Sequence, residues 1–199
     1  DGWKVWAAAR DDAALSELRA AGAEALKLDV ASAESIAALG WQLDGIKLDL
    51  AVYVAGVFGA KHGALEAPTA QAFDQVMHTN VLGAMQVIPT VAPLVESSKG
   101  RFVFISSGMG SIAETASSGG WVYRTSKAAL NMVVKTAAAD YPQAMFLALC
   151  PGWVQTDMGG PGANITPQQS VAGMRTVIAA LQPADSGTYR GHDGRVIPW

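Results

Sequence analysis

Short, nearly continuous apolar runs alternate with stretches of helical periodicity along the whole chain, and this alternation constrains the fold most. The segments 4–9, 25–28, 48–54, 101–105 and 144–149 read as strands. Between them, helical patterns run from Asp12 to Ala21, Ser32 to Leu39, Pro68 to about Glu96 as either one long helix or two that break near Asn80, Trp121 to Asp140, and Thr166 to Leu181. A strand that is apolar on both faces needs cover on both, and alternating helices supply it. The pattern therefore predicts an α/β fold with a doubly wound parallel sheet, as one domain over residues 1–199. Ligands bind such a sheet beyond the carboxyl ends of its strands. The most distinctive residues fall at those ends: Asp29, Ala55-Gly56, Ser106-Ser107 and Pro151-Gly152.

Helix ends carry their own signals. Ser32 with Glu34 and Ser35 offers capping chemistry, Gly22 reads as a stop, and Pro167 suits a first helical turn. The tail from Gly187 to Trp199 holds a Gly-containing turn and a final short strand.

Composition excludes several classes. Half of the residues are hydrophobic and 16% are charged, which is globular rather than disordered. A net charge of −3 gives no support for nucleic acid or an anionic membrane as partner. No apolar run approaches the length of a membrane span. Cys150 stands alone among apolar neighbours and reads as a core residue, in keeping with a reducing compartment and a cytoplasmic protein. His62, His78 and His192 are scattered without metal-ligand spacing, so no metal is expected.

The chemistry centres on Tyr123-Arg124-Thr125-Ser126-Lys127. Residues four apart share a helix face, and an ammonium near a phenol favours the phenolate. Such a phenol can exchange a proton with a carbonyl or an alcohol near neutral pH. Taken alone, the spacing is more often an ordinary surface pair. Its context reverses that weighting: Ser106-Ser107 at a strand end, Pro151-Gly152-Trp153-Val154-Gln155-Thr156 after an apolar strand, and Asn80 within a helical region where Asn is unfavourable.

In this order, Asp29, Ala55-Gly56, Asn80-Val81-Leu82-Gly83, Ser106-Ser107, Tyr123-x-x-x-Lys127 and Pro151-Gly152-x-Val154-x-Thr156 resemble the short-chain dehydrogenase/reductase family across essentially the whole chain. The stretches 110–112 and 119–121 and the ending 193–199 look like its C-factor/sniffer-type branch. The resemblance implies a Rossmann-type sheet and hydride transfer between NADP(H), with NAD(H) as the alternative, and a small carbonyl or alcohol substrate. It implies Tyr123 as acid/base, Lys127 lowering its pKa and binding the nicotinamide ribose, and Ser107 orienting the carbonyl. Asn80 would hold the helix break and a relay water. Asp29 with Val30 would meet the adenine, Ala55-Gly56 its ribose, and Pro151-Gly152, Val154 and Thr156 the carboxamide side. Arg10, directly after the strand at 4–9, would accept the 2′-phosphate of NADP(H). The helices around 81–97 and 122–140 would form the faces of a homo-oligomer.

Three departures stand out. Tyr53 and Val54 occupy positions where the family has two Asn. Ser107 and Tyr123 are 16 residues apart (123 − 107), a long loop that suits the named branch. A first strand and Gly-rich turn are missing, so the resemblance implies roughly 20 or more preceding residues, with the absent strand lying between those at 4–9 and 48–54. A non-catalytic cofactor-sensing or signalling protein on the same fold is the competing reading.

Overall fold

The computed structural model describes residues 2–199. Strands β1 (Trp6–Ala9), β2 (Glu24–Lys27), β3 (Leu50–Tyr53), β4 (Arg101–Ile105), β5 (Met145–Cys150) and β6 (Thr188–Gly191) alternate with helices. The helices are α1 (Asp12–Ala20), α2 (Ala33–Gln42), α3 (Ala70–Met77), α4 (Gly83–Glu96), α5 (Trp121–Asp140) and α6 (Pro167–Ala180). Every strand pairing is parallel, in the orders β1-β2 and β3-β4-β5-β6. β1 and β3 do not pair with each other. The sheet is divided at the interval where the resemblance places a central strand, and Val5, Val52 and Val54 are exposed beside it.

Alternation along the strands sorts side chains onto two faces. Phe102, Phe104, Phe146 and Ala148 join one core with α2, α4 and α5 residues such as Leu39, Val91 and Leu130. Val103, Leu147 and Leu149 point the other way and pack on Val177 and Leu181. Helices thus cover both faces, as the apolar strands require.

Local chemistry sets the ends. Ser32 caps α2 by accepting from the Ser35 amide, and Thr166 with Gln169 forms a reciprocal capping box on α6. The expected break near Asn80 is a π-helical turn at His78–Leu82 that joins α3 to α4. Among the described residues no helix is long and apolar enough to cross a membrane.

Candidate active site

The site forms where β4 ends against α5. One face of α5 presents Tyr123 and Lys127, four residues apart, and both are buried. Their elements are fixed independently: β4 lies between β3 and β5, and α5 packs on β5.

Lys127 Nζ donates to the Ile105 carbonyl oxygen at 2.8 Å and lies 5.6 Å from the centroid of the Tyr123 ring. Burial lowers its pKa to about 8. Ser107 leads into a short 3-10 turn at Gly108–Gly110, and its hydroxyl accepts from the Met109 amide at 3.2 Å. The same hydroxyl hydrogen-bonds the Tyr123 phenol and pulls its pKa down. Burial is the larger effect, and the phenol stands above its ordinary range. This differs from the sequence expectation that Lys127 would lower it. The ammonium is turned toward the Ile105 carbonyl, and the apolar surroundings disfavour the phenolate. The ring of Phe58 stacks on Tyr123 with centroids 4.5 Å apart. Gly120, which begins α5, has φ +67, and a Cβ there would stand 2.9 Å from the Phe58 ring, so this turn demands glycine.

Asn80 is fully buried in the π turn. Its Oδ1 accepts from the Val57 amide at 2.8 Å, and its Nδ2 donates to the Val57 carbonyl and to Ser126 Oγ, each at 2.9 Å. Both amide protons are committed, so the side chain clamps the loop after β3 onto the π turn. Tyr53, one of the two departures from the family's Asn pair, adds a second fastening: its hydroxyl donates to the Thr79 carbonyl at 2.8 Å.

Gly56 sits in front of this assembly. A Cβ there would lie 3.3 Å from Lys127 Nζ and 3.5 Å from Asn80 Oδ1. Gly56 therefore faces the lysine rather than only the adenosine side that the resemblance gave it. Ala55 packs partly buried against the core, and Val30 is buried beside the start of α4, where its carbonyl closely approaches Gly83. Asp29 accepts from the Ala31 amide at 2.9 Å while its own amide donates to the Ser35 hydroxyl oxygen. Arg10 is exposed just past β1. Past β5, the Pro151 carbonyl accepts from Ser170 Oγ at 2.6 Å, and Gly152 follows with a left-handed backbone. Val154 bridges Ile165, and Thr156 Oγ1 accepts from the Gly159 amide at 3.2 Å.

Several residues here had not been assigned to the site. Cys150 is half-buried at the end of β5, at the rim of the core rather than inside it, and its Sγ accepts from the Gly108 amide at 3.0 Å. Burial pushes its thiol pKa up. Tyr189 on β6 is buried, and its hydroxyl donates to the Ser107 carbonyl. Asn131 extends the series 123, 127, 131, a repeat of four that the sequence displays. Tyr189, 82 residues from Ser107, gives no such signal.

A family model described as short chain dehydrogenase matches residues 1–164. C-signal of Myxococcus xanthus is 42% identical over 123 residues, 60% of this chain and 74% of that protein. The crystal structure of a short-chain dehydrogenase/reductase from Burkholderia multivorans with bound NADP is similar at TM-score 0.87 and 33% identity, covering 100% of this chain and 89% of that one. The carbonyl reductase Sniffer of D. melanogaster reaches TM-score 0.88 at 25% identity, covering 98% and 88%.

Proposed function

This chain belongs to the short-chain dehydrogenase family, and on that premise we propose that it interconverts a small carbonyl compound and its alcohol with NADP(H), Tyr123 serving as acid/base. The observation that carries this reading is the convergence of Ser107, Tyr123 and Lys127 at the carboxyl end of β4.

The residues suit the cofactor at its nicotinamide end. Gly56 stands directly against the lysine, where a Cβ would lie 3.3 Å from Nζ, so the ammonium end meets backbone rather than a side chain on that side. Tyr123 and Lys127 would hold that ribose, Pro151-Gly152 with Val154 and Thr156 the carboxamide side, and Ala55, Asp29 and Val30 the adenosine. Asn80 would line the ribose side from the π turn, and Arg10 would meet the 2′-phosphate. NADP is the ligand in the Burkholderia relative, and its reduced form would supply the hydride here.

The protein's part is to place the carbonyl oxygen and move one proton. Ser107 Oγ and the Tyr123 hydroxyl each donate a hydrogen bond to that oxygen. As negative charge grows on it, the phenol proton transfers. An alkoxide is far more basic than a phenolate, so transfer runs downhill even from a phenol whose pKa is raised. The phenolate left behind faces Ser107, with Lys127 behind it. In the oxidative direction the same atoms run in reverse, and the raised phenol pKa makes that direction gain from alkaline pH.

The core that joins α2, α4 and α5 also takes in Trp6, Leu26 and Val30, which supports reading the chain as one domain despite the divided sheet. Leu82, Met85 and Met132 lie exposed on the π turn, α4 and α5, which supports a homo-oligomer formed across those helices. NADPH consumption at 340 nm with a panel of small aldehydes and ketones tests the function. Turnover with at least one member is expected. Cofactor binding without any turnover would favour the cofactor-sensing reading.

A further inference from the structure

On α5, residues 123, 127 and 131 recur every four positions, and all three are buried. Opposite them, the end of β4 presents Ile105, Ser106 and Ser107 in succession. Each is met by one residue of the stripe. Lys127 takes the Ile105 carbonyl at 2.8 Å. Tyr123 shares its hydrogen bond with the Ser107 hydroxyl. Asn131 takes the middle position, its Oδ1 accepting from Ser106 Oγ at 2.6 Å. The same amide then reaches past Ser107, and Nδ2 donates to the Gly110 carbonyl at 3.3 Å.

Asn131 thus grips the loop on both sides of Ser107. We propose that Asn131 is a positioning residue for the reaction, acting through Ser106 and Gly110 to fix where the Ser107 hydroxyl meets the substrate carbonyl. This rests on the roles given above to Ser107 and Tyr123. Ser106 and Asn131 are each 2% exposed, so water does not compete for their bond. Gly110 also explains the tight fit: a Cβ there would lie 2.9 Å from the Lys127 backbone and 3.1 Å from Asn131 Nδ2. Tyr189 holds the Ser107 carbonyl as a separate anchor from β6. Losing Asn131 therefore frees the loop to shift about one anchor while the other stays. A displacement of about 1 Å in a reacting group can cost on the order of a hundredfold in rate.

The test is a double-mutant cycle on kcat, with KM for NADPH and the melting temperature recorded for each variant. Asn131→Leu and Ser106→Ala are each made alone and in a Ser107→Ala background. Each single variant should lower kcat about tenfold while leaving KM for NADPH within about twofold. In the Ser107→Ala background the same change should cost less than about twofold, because its route to the carbonyl is already gone. Equal fold losses in both backgrounds, or wild-type kcat in both single variants, would overturn the proposal. Ser106→Ala decides the matter where Asn131→Leu does not fold. Wild-type turnover by Ser107→Ala itself would instead overturn the reading of Ser107, and this proposal with it.

Discussion

Lys127 is 3% exposed, and its Nζ is bound to the Ile105 carbonyl at 2.8 Å, so a cation is held in the protein interior by a backbone oxygen. Its pKa falls from 10.5 to about 8. The unfolded chain then binds more protons than the folded one between about pH 8 and 10.5, and stability rises with pH across that window. Below about pH 8 the full cost of the buried charge remains, roughly 3 kcal/mol. Replacing Lys127 by Met removes that cost and loses one hydrogen bond of about 1 kcal/mol. Lys127→Met should therefore stabilise the protein by about 2 kcal/mol at pH 6, with the gain fading toward pH 10, while abolishing turnover. Thermal unfolding across that pH range measures it. A variant less stable than wild type at pH 6 contradicts the assignment.

Ser107 and Ser111 have separate tasks. Ser111 is buried, donates to the Pro198 carbonyl at 2.6 Å, and accepts from the Glu114 amide at 3.1 Å, which ties the loop after β4 to the chain's last residues. Ser111→Ala should cost stability, about 1–3 kcal/mol from the unpartnered carbonyl, and only modestly affect turnover. Ser107→Ala should do the opposite. Steady-state kinetics with denaturant unfolding of both variants checks the contrast. A larger kcat loss in Ser111→Ala would reverse the two roles.

Arg10 sits exposed at the end of β1 and is proposed above to meet the 2′-phosphate. A charge-assisted bond to a 2′-phosphate is worth about 1.5–3 kcal/mol, so Arg10→Ala should cut the preference for NADPH over NADH by about tenfold or more. The ratio of kcat/KM for the two cofactors reads this directly. An unchanged ratio would make Arg10 a bystander.

Much of this fold was legible because its strands are apolar on both faces and its helices are capped by the residues that begin them. The span of β4 and that of α5 match the sequence reading residue for residue. The break at Asn80 was legible because a buried amide in a helix must find partners, and it does so at Val57. The Ser-Tyr-Lys group followed from spacing within one helix and one strand end. The rest depends on contacts distant in sequence. Tyr189 reaching Ser107, and Trp199 accepting from the Ala113 amide, arise only once β6 lies beside β5. The direction of the Tyr123 shift was misread because spacing reveals the neighbouring charge but not the depth of burial, which is the largest cause of the shift.

With the phenol raised above its usual 10.0, alcohol oxidation, which needs the phenolate, should speed up steadily with pH to 10 and beyond. Carbonyl reduction, which needs the protonated phenol, should not share that rise. Initial rates in both directions between pH 6 and 10 test this. An oxidation rate that levels off near neutrality would show a phenol pKa lowered rather than raised.

The central claim is that the Tyr123 phenol carries the proton. The most direct test is the single-turnover rate of NADPH oxidation by wild type and Tyr123→Phe with the best carbonyl substrate, followed at 340 nm. The phenylalanine ring keeps the stack on Phe58 and removes only the hydroxyl. A fall of about a hundredfold or more, with NADPH affinity within a few fold of wild type, is the result expected. A rate within about threefold of wild type would contradict the mechanism and remove Tyr123 from it.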